Sequence, residues 1–473
     1  MSTSTISPER YSVLTSNNLS QDAAIYLGLV VSSILDVTIL EQKHKELVFR
    51  WPVLGGKLMT NTKPYSFTTG DTVDFCSRYL SSSLEDTCLP AFTNVSCDGP
   101  TYTPINPNCD DLFHFSSIPR FSLVEGLFAL RVTVMNDATL LGFRIPHHFV
   151  DGKSAFDIVE AYCNTVAGRT IPTITLPPDI PMSALVHGED TLPKSVAEQA
   201  PYVHPGDNFS LGLIEYFKFV GTALYKVIAP KVGLEEQGLE QFVHLPAAYV
   251  LQLQAKCQAE LDEATKNGDL REGAGLQLTK NDIITAWSLR RAYANVPPDS
   301  GPFDLMYNFN YRQAIDQPAA NTTYLHNSFY NIWANFPSLS VFKSLPFSRV
   351  ALEIRLCCVR NKQPSAVRSS LEFWETHRAA FIAPGKRPYR MDTLPIVSPW
   401  TTFGYNDLDF SSALAAGEKR SGKVVFTVPI AMLPMRVTVK PFFVILKDGK
   451  GGYWIRANLR RSWWKEADCS RYL

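Results

Sequence analysis

Residues 127–163 read LFALRVTVM-ND-ATLLGFRIP-HHFVDG-KSAFDIVEAYC, and their pattern decides the fold. Leu127 to Met135 alternates apolar and polar side chains, Asn136-Asp137 supply a turn, and Thr139 to Ile145 resumes the strand. That spacing predicts a β-hairpin. Pro146 lacks an N–H and stops the second strand, and His147 to Gly152 form a loop. Ser154 to Cys163 then has helical spacing, with Phe156, Ile158, Val159 and Tyr162 on the apolar side. A strand, a short loop and a helix N-terminus together present reactive side chains rigidly. With 9 His, 25 Asp and 26 Gly in 473 residues, His-x-x-x-Asp-Gly is expected about 0.03 times by chance. An imidazole titrates near 6.5 when unperturbed, which suits His147 to general-base work. An aspartate four residues on, Asp151, can fix the loop by turning to an arginine.

Other readings of this loop fail on its own residues. Gly152-Lys153-Ser154 begins like the end of a phosphate-binding loop, but the first glycine of that motif falls on His147. The same residues begin like a nucleophile elbow, whose closing glycine falls on Phe156. His147, His148 and Asp151 offer metal ligands, yet no HExxH or second histidine pair completes a shell, and no metal is expected. The bland reading, histidines that merely finish a strand and cap a helix, is weakened by the rarity of the spacing.

Working outward, the spacing predicts a helix from about Gln21 to Leu35 capped by Ser20, and another from Thr38 to Arg50 ended by Pro52. Residues 60–120 are rich in Thr, Ser, Pro and Asn and read as strands and long loops. From Ile171 to about Asn208 the chain is Pro-rich, and Leu211 to Ile228 reads as an apolar helix. This region is the crossover between domains. Further helices are predicted at Ala247 to Ala264 and from Thr279 through Tyr293. Strands are predicted at Leu305 to Tyr311, Ala351 to Cys357, Val424 to Val428, Arg436 to Leu446 and Tyr453 to Leu459. The resulting division is residues 1–190, a crossover 191–245, and residues 246–473, since 473 residues exceed one ordinary core.

Composition bounds the function. With 45 basic and 45 acidic residues, no global field attracts nucleic acid or an anionic membrane. The nine cysteines form no CxxC pair, and Cys76, Cys88, Cys97 and Cys109 are too widely spaced for a zinc knot. Met1 to Arg10 lacks an apolar signal core and no apolar run is long enough to span a bilayer. A cytoplasmic monomer without membrane insertion is expected. Trp463-Trp464 are expected to pack on the domain as an end-of-chain helix.

The loop, read with its neighbours, resembles the BAHD acyltransferases and their fungal relatives, including trichothecene O-acetyltransferases. Leu19-Ser20-Gln21-Asp22 and Trp51 to Leu58 look like the family's opening, and His147 to Gly152 looks like its HxxxDG motif. Asn310-Tyr311-Arg312 resembles the strand bearing a structural arginine, and Tyr324 to Ser328 resembles a YxGN segment with His326 replacing the glycine. Asp409 falls nine residues after Trp400, where the family places DFGWG, but the text is Asp409-Phe410-Ser411-Ser412-Ala413. The resemblance implies an α/β (α+β) fold of two chloramphenicol-acetyltransferase-like domains, each a mixed sheet flanked by helices, with the active-site channel between them. It implies an O-acyltransferase using acetyl-CoA or another acyl-CoA as co-substrate on a small-molecule alcohol, a terpenoid or polyketide. His147 is then the base, and Asp151, Gly152, Arg312 and Asp409 are structural, with Asp409 paired to Arg312. Ser398, Trp400, Thr401 and His326 line the oxyanion site or substrate channel. N-acyl transfer, a CoA-independent isomerase or cyclase on the same fold, and a non-catalytic binder are the alternatives.

Overall fold

The computed structural model describes residues 11–12, 23–59, 66–87, 89, 95, 98–104, 109–115, 126–175, 180–192, 202–236, 238–270, 273, 275–315, 321–377, 382–384, 393–432 and 441–464. Two mixed sheets carry the fold. The first runs in the order Val424–Met432, Ala24–Val31, Thr139–Pro146, Ala129–Val134, Asp74–Tyr79. The second runs Phe329–Phe336, Phe303–Asn310, Ile396–Pro399, Phe442–Lys447, Tyr453–Arg460, Gly238–Leu245, Thr101–Pro104. Each sheet takes an edge strand from the other half of the chain: Val424–Met432 joins the first, and Thr101–Pro104 the second. The two domains are therefore tied by strand exchange as well as by side-chain contact.

The hairpin forms as its spacing requires, with Ala129 opposite Arg144 and Val134 opposite Thr139. Every residue of both strands is buried, because the sheet is covered on both faces. Helices Val37–Arg50 and Gly152–Val166 join the core with Leu40, Leu47, Ile158 and Tyr162. Phe113 and Phe115 press on the sheet at Gly28 and Gly142. In the second domain, Ala247–Lys266, Lys280–Tyr293 and Phe347–Asn361 pack on one another and on the sheet. Thr279 caps the middle helix through a reciprocal pair with Asp282. Trp463 and Trp464 end the described chain as a 3₁₀ turn. Trp463 lies 5.1 Å from the Tyr293 ring, and Trp464 donates to the Leu239 carbonyl.

Two expected elements are corrected. Ala24–Val31 is a central strand, not part of a helix, and Ser20 with its expected cap lies outside the described residues. AIYLGLVV is apolar on both faces because both faces are buried, and such a run carries no period that separates strand from helix. Residues 351–357 lie inside the helix Phe347–Asn361 rather than in a strand. Leu352-Glu353-Ile354-Arg355-Leu356 alternates over a short window, yet Val350, Ile354, Cys357 and Asn361 are buried together at helical spacing. Of the strand expected from Arg436 to Leu446, Phe442–Lys447 is formed, and residues 433–440 lie outside the described residues.

Topology collects the site. Phe303–Asn310 is antiparallel to Phe329–Phe336 and parallel to Ile396–Pro399. The end of the first, the start of the second and the end of the third thus lie at one rim of the second sheet. That rim meets the end of the strand Thr139–Pro146.

Candidate active site

His147 follows its strand directly, held by its N–H on the Ala23 carbonyl at 2.9 Å. The Asn327 amide donates to the His147 carbonyl at 2.8 Å. Its ring lies 5.6 Å from that of Phe329, and Nδ1 is 3.0 Å from the Val150 carbonyl. A carbonyl only accepts, so Nδ1 carries the hydrogen and Nε2 keeps its lone pair. Burial lowers the His147 pKa against the pull of Asp151 and of the backbone carbonyls, so the ring is neutral near pH 7.

Asp151 begins the helix Gly152–Val166 as its N-cap, accepting Ser154 N–H at 3.0 Å. From the other domain, Arg312 grips the same carboxylate with two nitrogens, at 2.6 and 3.0 Å, and Ser328 N–H adds a third donor at 3.0 Å. Arg312 also donates to Ser154 Oγ at 2.7 Å and to the His326 carbonyl at 2.5 Å. Burial raises the Asp151 pKa, but Arg312 and the two N–H donors together hold it below the usual carboxylate range. Both ion-pair partners are nearly inaccessible, so the pair is an interdomain clamp in a low-dielectric setting.

Gly152 has a steric reason. A Cβ there would lie 2.9 Å from Cε2 and Nε1 of Trp400 and 3.2 Å from the Phe403 ring. The absent side chain lets Trp400 stand against the helix N-terminus. Trp400 Nε1 donates to Ser398 Oγ at 3.1 Å, and Thr401 Oγ1 donates to Asn281 Oδ1 at 2.9 Å. With the indole N–H and the Thr401 hydrogen engaged, Ser398 is the hydroxyl of the three whose own hydrogen is not committed by these bonds.

His326 is buried, with Nδ1 3.2 Å from Ser328 Oγ, and burial with the nearby Arg312 pushes its pKa down to about 3. It is a neutral ring beside the clamp, and its Nε2 has no hydrogen-bond partner among the described residues.

One expected contact is not made. Asp409 does not pair with Arg312, whose guanidinium is taken by Asp151. Asp409 accepts Ser411 N–H at 2.9 Å and Ser411 O–H at 2.5 Å, while its carbonyl accepts from Cys163 Sγ at 3.3 Å. Cys163 is twelve residues along the helix from the Asp151 cap, which puts Asp409 about 18 Å along the axis from the clamp.

The sequence did not single out Ser154, Asn327 or Ser328. Asn327 stands in the segment resembling YxGN, which was its available signal. Ser154 had none beyond its place three residues after Asp151. Among the described residues no group of three or more His, Cys, Asp or Glu is placed to hold a metal ion, and no helix is long and apolar enough to cross a membrane.

No protein-family model matches the chain. It is 32% identical over 487 residues to the acetyltransferase peniE of Penicillium patulum, covering 97% of each chain. Its fold is similar to that of TRI101 of F. graminearum, solved with coenzyme A and T-2 mycotoxin, at a TM-score of 0.65 and 11% identity over 99% of each chain. It is also similar to vinorine synthase, at a TM-score of 0.59 and 12% identity over 98% of this chain and 92% of that one.

Proposed function

The chain belongs to the BAHD-type acyltransferase superfamily and is an acyltransferase, and from that premise we propose that it moves an acetyl group from acetyl-CoA to a hydroxyl of a small secondary metabolite, with His147 as the general base. The observation that carries this is the His147 tautomer: Nδ1 is engaged by the Val150 carbonyl at 3.0 Å and Nε2 keeps its lone pair. The name of the 32% identical relative supports the acetyl group, and the coenzyme A and T-2 mycotoxin bound to TRI101 support the pairing of CoA with a small molecule.

In this mechanism Nε2 takes the proton as the acceptor O–H bond breaks, and the oxygen forms a bond to the thioester carbonyl carbon. The C–S bond then breaks, and CoA leaves as a thiolate that takes the proton back from the imidazolium. The enzyme returns to its starting state with no covalent intermediate. The transient oxyanion needs a positioned donor, and the uncommitted hydroxyl of Ser398 is the candidate of the three. Asp151 and Arg312 hold the loop that aims His147 and do not touch the reacting atoms.

The test incubates the purified protein with acetyl-CoA and a panel of hydroxylated terpenoids and polyketides, following thiol release and product mass. A product heavier by one acetyl group, absent with His147→Ala, is expected. Acetyl transfer that survives in His147→Ala would sink the assignment of the base.

A further inference from the structure

The helix Leu213–Ile228 rests against the short strands Phe209–Leu211 and Ile382–Pro384 and turns its other side outward. On that outer side Ile214, Phe217, Gly221, Leu224 and Ile228 recur at steps of three, four, three and four. The four side chains are 67%, 60%, 49% and 54% exposed. A stripe at that spacing is the seam by which one helix packs on another. Together with Leu211, Leu213, Tyr225, Val232 and Leu234, also exposed, it presents on the order of 800 Å² of apolar surface. That is roughly one partner's share of a stable interface and more than a monomer ordinarily exposes.

Gly221 adds an independent observation. Glycine weakens a helix interior, and here no atom outside its own stretch of helix lies within 4 Å of where its Cβ would be, so no packing within its own chain requires it. A second backbone crossing closely at that point gives it a reason.

We propose that this helix is a dimerisation element, pairing antiparallel with the same helix of a second copy about Gly221. The stripe is self-complementary under that two-fold: Ile214 faces Ile228 of the second copy, Phe217 faces Leu224 and Tyr225, and glycine meets glycine. Lys218 then lies beside Tyr225 of the second copy, a cation over an aromatic ring. A lipid surface fits less well. Membrane-surface helices carry a cationic polar face, whereas this helix has Glu215 and two lysines, of which Lys226 is paired with Glu235 at 2.8 Å.

Sedimentation equilibrium of the full chain over a wide concentration range tests this, with Phe217→Glu and Gly221→Leu as variants. The native protein is expected as a dimer, with dissociation at least about 100-fold easier in each variant. Far-UV circular dichroism and melting are expected to be unchanged. Gly221→Leu enters open space in its own chain, so it keeps the test decisive if Phe217→Glu misfolds. A native protein that stays monomeric, or a dimer untouched by Gly221→Leu, overturns the proposal. So does a monomer that floats with phosphatidylcholine and phosphatidylserine vesicles, which would assign the stripe to lipid.

Discussion

Asp151 and Asp409 begin from the same local arrangement and end in different surroundings. Each accepts the N–H of a serine close behind it, Ser154 at 3.0 Å and Ser411 at 2.9 Å. Beyond that turn they part. Asp151 is buried and takes the Arg312 fork and Ser328 N–H from the opposite domain. Asp409 is half-buried, and its carboxylate stays with Ser411. The backbone around Asp409 joins parts of the first domain instead. Ala413 accepts from Asp36 N–H and Ala415 donates to Ile34, while within the segment itself Gly422 approaches Ser411 so closely that a Cβ there would lie 2.4 Å from its nitrogen. An aspartate's place in a motif therefore says less than the guanidinium it reaches, since that cation separates an interdomain clamp from a capped turn.

The largest effect that sharpens this contrast is expected at the residue the clamp aims. His147→Ala should lower turnover by about 10²–10⁴ while leaving the thermal transition in place, because it removes proton transfer rather than the clamp. The pH profile gives the same residue a second readout. A base must be neutral to work, and burial lowers the His147 pKa. The acid limb of kcat/KM is thus expected below 6.5, the ordinary histidine value. Its contribution to stability has the same sign. The unfolded chain takes up the proton first, so stability falls as pH drops below 6.5. An acid limb above 6.5 would contradict the lowered pKa of this half-buried ring.

Next comes the clamp. Arg312→Ala leaves a buried carboxylate without its cation and is expected to cost about 3–5 kcal/mol of stability, read by denaturant unfolding. Arg312→Lys keeps the charge but not the fork and should recover only part of that. Full recovery by lysine would mean that charge alone, and not two-point geometry, joins the domains. Gly152→Ala should come third. Its methyl meets the Trp400 indole, and overpacking of this kind costs about 1–3 kcal/mol. Trp400→Phe in the same chain should relieve part of the loss in a double-mutant cycle.

The clamp's loop was the most legible part of the chain. Alternation, a turn and helical spacing place His147 between a strand and a helix, even though both strands of the hairpin are buried on both faces. Arg312, 161 residues from Asp151, was reached through family resemblance, and its partner was mistaken. Sequence spacing carries no information about which of two aspartates a distant guanidinium meets. Ala24–Val31 failed for a different reason. A strand buried on both faces shows the same uninterrupted apolar run as a buried helix, so only its neighbours in the sheet identify it. The short alternation around Ile354 misled because the seven residues from Ala351 to Cys357 satisfy either period, and only the fifteen of Phe347–Asn361 separate them.

The smallest expected effect is also the one that can break the contrast. Asp409→Ala removes two hydrogen bonds to Ser411 at a half-buried turn, worth about 0.5–1.5 kcal/mol each as a net contribution. Ser411 keeps solvent within reach, so the loss should fall at the lower end. Phe410, buried against Tyr162, still anchors the segment. Turnover should therefore stay within about twofold of the native value, since nothing at Asp409 touches the clamp or His147. A melt unchanged by Asp409→Ala together with lost acyl transfer would place this turn in the active channel after all. The two aspartates would then differ in which part of the reaction they serve, and no longer in whether they serve it.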